Sequence, residues 1–198
     1  MHRRDFIKKV ILFSLSFVIL KTKIMANSLF KPFNLVDGIF VNNYVSHKSS
    51  FKDFWKWRRE SSKPKPISFP IVENDPEYLK SNKSEKTITW IGHSTFLLQI
   101  DGKNILTDPH FTKRASPLSF MGPLRTTPPG LKIEELPFID FVLISHNHYD
   151  HLDSKTIQLL LKKQNVNQPT FFVPLKLRNI ISKLGARNVL EHEWWQMT

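Results

Sequence analysis

From residue 87 onward the chain alternates apolar and polar positions in short runs. Thr87–Ile91 and Thr95–Ile100 read as strands, and Asp101-Gly102 after them is a tight hairpin signal. Asn104–Thr107 reads as the return strand, ending at Asp108-Pro109. Pro117, Pro123, Pro128, Pro129, Gly130 and Pro137 then break any regular pattern. They predict a long irregular connection over residues 110–137, and long ordered loops are usually functional. Phe141–Ser145 is the next strand. Asp153 is placed to cap a helix over Ser154–Lys163, whose last turn carries Lys162 and Lys163. Thr170–Val173 reads as a strand, Leu175–Leu184 as an amphipathic helix stopped by Gly185, and Asn188–Glu191 as a further strand.

The pattern upstream is different. Arg3-Arg4 and Lys8-Lys9 precede the uncharged run Val10–Leu20. Eleven residues are short for a membrane span, which needs about 20, and suit the apolar core of an export signal. The segment resembles a twin-arginine signal. Ile24-Met25-Ala26 is a poor cleavage site, so residues 1–26 are expected to act as a signal or an uncut anchor, with a buried N-terminal helix as the alternative. The expected location is periplasmic or at a bacterial inner membrane, and cytoplasmic if the segment is not a signal. Residues 27–86 form a basic, aromatic leader and linker. Within it Phe51, Phe54, Trp55 and Arg58 have helical spacing, suiting a docked helix or a membrane-interface element. Lys63-Pro-Lys-Pro66 reads as linker, and the patterned domain occupies 87–198.

Composition narrows the chemistry. With no Cys, disulfides, thiolate metal sites and Cys nucleophiles are excluded. The net charge of +12 raises the question of nucleic acid, but its distribution answers it. Residues 1–86 hold 17 basic against 8 acidic residues, and residues 87–198 hold 12 against 9. The excess lies in the leader, where it suits an anionic membrane surface, and no nucleic-acid module is present.

The densest chemistry is His146-x-His148-x-Asp150-His151, directly after the apolar run ending at Ser145. Imidazole nitrogens and a carboxylate at that spacing suit zinc or a similar divalent ion. A strand that stops at such a cluster delivers it to a sheet edge, where a cleft can form. A merely polar loop explains none of the spacing.

His-x-His-x-Asp-His after an apolar strand resembles the signature of the metallo-β-lactamase superfamily. Thr89–Thr95 (TWIGHST), Leu106–Pro109, Arg114–Pro117, Met121–Pro123, Ile144–Asp153, Phe172–Leu175 and Trp194-Trp195 are similar to the N-acylphosphatidylethanolamine-hydrolysing phospholipase D branch and its bacterial relatives. The resemblance implies an α+β fold, the αββα sandwich. Here only its first half is expected, one mainly antiparallel sheet with flanking helices. It implies a zinc-dependent phosphodiester hydrolase acting on a phospholipid, with two metals activating water. His146 and His148 would bind the first metal, and Asp150 and His151 the second, with Asp150 also the candidate catalytic residue. Asp108 would support the ligand loop by hydrogen bonds, its alternative being a turn cap before Pro109. His93 would line the cleft in support or be a core histidine. The family draws a further His, a bridging Asp and a final His from its second half, and none has a counterpart here. His192 matches a strand end. At most one zinc is therefore expected on this chain. The expectation is a truncated form, either completed by a second polypeptide or catalytically inactive. A membrane-anchored metal-binding or interaction protein is the alternative.

Overall fold

In the computed structural model, residues 35–42, 44, 50–61, 70 and 72–197 are described. The signal-like residues 1–26 and the Lys63–Pro66 linker lie outside them. The chain divides into two units, residues 62–192 and residues 1–61 with 193–198.

The described part of the smaller unit contains a two-residue hairpin, β1 (Leu35–Val36) and β2 (Ile39–Phe40), turning at Asp37-Gly38, and helix α1 (Phe51–Glu60). Ser50 and Asp53 close a capping box at the start of α1, each side chain serving the other's backbone N–H. Phe51, Phe54, Trp55 and Trp57 form a ring cluster on this helix, yet all are exposed and no residue of the helix is buried. Among the described residues no helix is long and apolar enough to cross a membrane.

The larger unit opens with α2 (Pro76–Ser81), capped by Asp75, followed by β3 (Thr87–Gly92), β4 (Thr95–Ile100) and β5 (Lys103–Thr107). The long connection includes a single 3₁₀ turn at Ile133–Glu135 and leads to β6 (Phe141–Leu143). Helix α3 (Ser154–Lys163), β7 (Thr170–Pro174), α4 (Arg178–Lys183) and β8 (Val189–His192) complete it. Asp153 caps α3 through Lys155 and Thr156, as the sequence predicts. The second helix is shorter than expected because residues 175–177 form a turn before it, and Gly185 ends it at φ +107°.

The six strands lie in sequence order, β3 to β8. The first two pairings are antiparallel, and β5–β6, β6–β7 and β7–β8 are parallel. The expected α+β class with flanking helices holds, but the sheet is mixed rather than mainly antiparallel. The reason is connection length: His93-Ser94 and Asp101-Gly102 are short enough for hairpin returns, while the later strands are joined through 108–140 and the two helices, which allow parallel entry.

Side chains in one ladder row share a face. Leu97, Leu106, Val142, Phe171 and Val189 are in register across five strands, and all are buried with Ile157, Leu160 and Ile181 of the helices. Leu79 of α2 belongs to the same core, and its carbonyl accepts from buried Gln99 at 2.7 Å. The opposite row holds Leu98, Ile105 and Phe141, with Leu143, Phe172 and Leu190 beside it. Those positions are apolar too, but none is buried, and Ile88 at the edge is 73% exposed. Among the described residues, one sheet face is thus a packed core and the other an apolar surface that is half-buried to exposed.

Candidate metal centre

Topology collects the site at one sheet edge. Parallel β5 and β6 end side by side, and Asp108 N–H donating to Leu143 O at 2.8 Å carries the pairing one residue further. Antiparallel β4 begins at that same edge, where Thr95 Oγ1 donates to the Asp108 carbonyl at 2.7 Å. The β3–β4 turn therefore overhangs the ends of β5 and β6. At its tip His93 adopts φ +51°, an uncommon conformation for a residue with a Cβ, next to Gly92 at φ +141°. After β6 the chain turns back on itself, with His151 and Leu152 N–H both donating to the His148 carbonyl at 3.0 and 2.7 Å. That turn brings His146, His148, Asp150 and His151 onto one side.

Two subsets result. His146 Nε2 lies 3.0 Å from His148 Nδ1. His93, Asp150 and His151 present ligand atoms all within 4.8 Å of one another. Asp150 Oδ2 is 2.9 Å from His93 Nε2 and 3.5 Å from His151 Nε2. The subsets touch, since the His146 and His151 rings are 4.1 Å apart. Ligand bonds of about 2.0–2.1 Å around a tetrahedral ion imply ligand-to-ligand edges of roughly 3.3–3.4 Å. The separations seen here bracket that value, and the donors are those zinc and its neighbours prefer. The residues fit a divalent cation. His93 is exposed and faces Asp150, so it sits in the cleft and not in the core.

Protons are fixed by what stands behind the ligands. Asp108 is buried and can only accept. Its Oδ1 takes Ser145 N–H at 2.7 Å, and its Oδ2 takes the Ser145 hydroxyl at 2.7 Å and His151 Nδ1–H at 2.8 Å. The serine hydroxyl has one hydrogen, and Asp108 uses it. Ser145 Oγ then accepts from His146 Nδ1–H, 2.9 Å away. Both His146 and His151 are left with Nε2 lone pairs for a metal, the usual arrangement behind a ligating histidine. Asp108 does more than cap a turn. Ser145 is a residue the sequence reading counted only as the end of an apolar run. The signal available was a hydroxyl immediately before the first ligand.

Charge agrees with this. Burial, and then the neighbouring His151 and His148, lower the His146 pKa, which favours the neutral ligand form. At Asp150 burial opposes ionisation, but its own backbone N–H and the nearby His151 and His93 outweigh it and hold the carboxyl below its ordinary value. His93, His148 and Asp150 line a cavity of about 600 Å³, with Trp90, Leu124 and Tyr149 among its apolar walls. His192, by contrast, stacks on Phe172 at 5.5 Å within the sheet.

Residues 87–192 match the model of the Beta-lactamase superfamily domain. The chain belongs to that superfamily, on its metallo-β-lactamase side. An uncharacterized protein of Mycobacterium tuberculosis is 37% identical over 171 residues, covering 82% of this chain and 45% of that one. An N-acyl-phosphatidylethanolamine-hydrolyzing phospholipase D of Caenorhabditis elegans is 41% identical over 112 residues, 54% of this chain and 31% of that protein. The chain thus spans under half the length of these curated relatives. Among solved structures, an isothiocyanate hydrolase from Delia radicum gut bacteria is 26% identical, with a TM-score of 0.42, over 52% of this chain and 40% of that one. Within the superfamily the chain resembles the phospholipase D-like branch and the metal-dependent hydrolases, one of which, from Anaeromyxobacter, is 34% identical over 74 residues.

Proposed function

We propose that this chain carries the ligand loop of a zinc-dependent hydrolase acting on a phosphodiester bond of a phospholipid. The observation that carries the reading is the convergence of His146, His148, Asp150 and His151 beside a cavity that His148 and Asp150 line, with Asp108 and Ser145 fixing the protons of His146 and His151. A divalent cation bound there would lower the pKa of a water molecule and offset charge on the phosphoryl oxygens. His146 and His148 would hold one ion. Asp150 and His151, with His93 beside them, would hold another. Asp150, kept ionised by its own backbone N–H and then by His151 and His93, is the candidate catalytic residue of the cleft. Trp90, Leu124 and Tyr149 would exclude water around the apolar part of the substrate. The name of the nematode relative supports the lipid class.

Among the described residues no additional His or acidic ligand joins this cluster, and a two-metal centre takes more ligands than it offers. We infer that residues 1–198 alone hold at most one zinc and turn over negligibly. A segment outside residues 1–198, a second polypeptide among the candidates, would supply the other ligands and cover the apolar sheet face. Export by the N-terminal segment and association with a membrane surface belong to the same reading, and nucleic acid does not. The test is hydrolysis of N-acylphosphatidylethanolamine vesicles by the chain, with zinc, before and after adding a segment bearing the missing His and Asp. Chelator-sensitive activity only in the complemented sample, abolished by His148→Ala, is expected. Robust activity of the chain alone would refute the incompleteness, and none in either sample would refute the hydrolase.

A further inference from the structure

The wall of the same cavity contains Arg125, partly buried in the long connection. Among the described residues it forms no ion pair. Its Nε reaches the Thr112 carbonyl at 3.5 Å, and its Nη2 reaches the His110 carbonyl and, at 3.2 Å, His110 Nδ1. Nη1 has no hydrogen-bond partner among the described residues. It lies against Gly92, where a Cβ would come within 2.5 Å of it. The absent side chain at Gly92 leaves room for the guanidinium.

His110 is only 4% exposed, and its tautomer follows from Arg125. A guanidinium donates and never accepts, so His110 Nδ1 is the acceptor and the ring hydrogen sits on Nε2. That Nε2 is buried and makes no hydrogen bond of normal geometry, with the Arg114 backbone as its neighbour. An unsatisfied buried donor is costly, and native structures retain few without a reason. Burial, and then Arg125, hold the His110 pKa below its ordinary value, so the ring stays neutral and this tautomer persists.

We propose that Arg125 and His110 form an oxyanion subsite that takes a non-bridging oxygen of a substrate phosphoryl group. Both line the same cavity as His93, His148 and Asp150, so an anion held there lies in the chamber of the metal ligands. A guanidinium with spare N–H groups beside a neutral N–H donor suits an oxyanion, because charge-assisted bonds from Arg are short and directional. The proposal rests on the hydrolase reading for its choice of phosphoryl as the anion. The donors themselves do not depend on it.

The test uses the full chain stripped of metal, ¹⁵N-labelled, titrated with dimethyl phosphate and with inorganic phosphate. The Arg125 guanidinium and His110 Nε2–H resonances should shift together and saturably. Calorimetry should show dimethyl phosphate binding at least about tenfold weaker in Arg125→Gln, and partly restored in Arg125→Lys. Should Arg125→Gln fail to fold, the wild-type resonances decide alone. Resonances that stay put, or equal binding by Arg125→Gln, overturn the subsite. Tighter binding of inorganic phosphate than of the diester overturns the assignment to a diester substrate. Diester binding intact at these residues, with no hydrolysis in the complemented assay above, would defeat the hydrolase reading and leave the subsite standing.

Discussion

Replacing Asp108 by Asn keeps the shape of the side chain and removes half of its accepting capacity. In the native site Oδ1 takes one N–H, while Oδ2 takes a hydroxyl and an imidazole N–H. An amide must turn its NH₂ toward one of these positions. At the Oδ1 position it would oppose the Ser145 backbone N–H, which cannot adapt. At the Oδ2 position it meets Ser145 Oγ and His151 Nδ1, which can. The hydroxyl can rotate, and His151 can move its hydrogen from Nδ1 to Nε2. The second outcome costs less, and it takes the His151 lone pair away from the metal side. Loss of such a partner typically weakens metal binding 10–100-fold, or about 1.4–2.8 kcal/mol. Competition between the protein and a chromogenic zinc chelator measures this, and the ring ¹⁵N shifts of His151 report its tautomer. An Asp108→Asn variant that folds, binds zinc as tightly as the wild type and keeps the Nδ1–H tautomer would refute the proton assignment.

Further outcomes follow from the same contacts. Ser145→Ala removes the hydroxyl joining His146 to Asp108 and is expected to weaken zinc binding about tenfold by the same chelator competition, while fold stability changes little at this exposed position. His110 has its folded pKa below the ordinary 6.5, so the native state binds fewer protons than the unfolded state. Its contribution to stability is therefore complete above about 6.5 and is lost as pH falls below that value toward the lowered one. Denaturation across this range should show that decline, and His110→Phe should flatten it. Residues 1–30 fused to a folded reporter should be exported through the twin-arginine route and retained when Arg3 and Arg4 become Lys. Export persisting in cells without that machinery would sink the signal reading.

The strands that carry the site were legible because their patterning is local. Thr87–Ile91, Thr95–Ile100 and the Asp101-Gly102 turn show strand composition and turn chemistry within a few residues, and Asp153 announces its helix. The gathering of His146, His148, Asp150 and His151 was legible from spacing alone. Parallel pairing was not, because nothing inside Phe141–Leu143 or Thr170–Pro174 encodes strand direction, which long connections decide. Helix α2 was passed over because six residues with one buried apolar side chain, Leu79, show no period. The order within the site depends on contacts across the sequence: Ser145 with Asp108, His93 with Asp150, Arg125 with His110. His93 in particular owes its place to a backbone turn at φ +51°, which no side-chain pattern reveals.

The central claim is that the His146–His151 loop and Asp108 together make a divalent-metal site. X-ray absorption at the zinc edge, on the full chain dialysed after zinc loading, tests it most directly. No more than one zinc per chain is expected, with nitrogen and oxygen ligands at about 2.0–2.1 Å and imidazole scattering that diminishes in His146→Ala and His148→Ala. Zinc lost completely on dialysis, or retained with no imidazole signal and no response to either substitution, would contradict it.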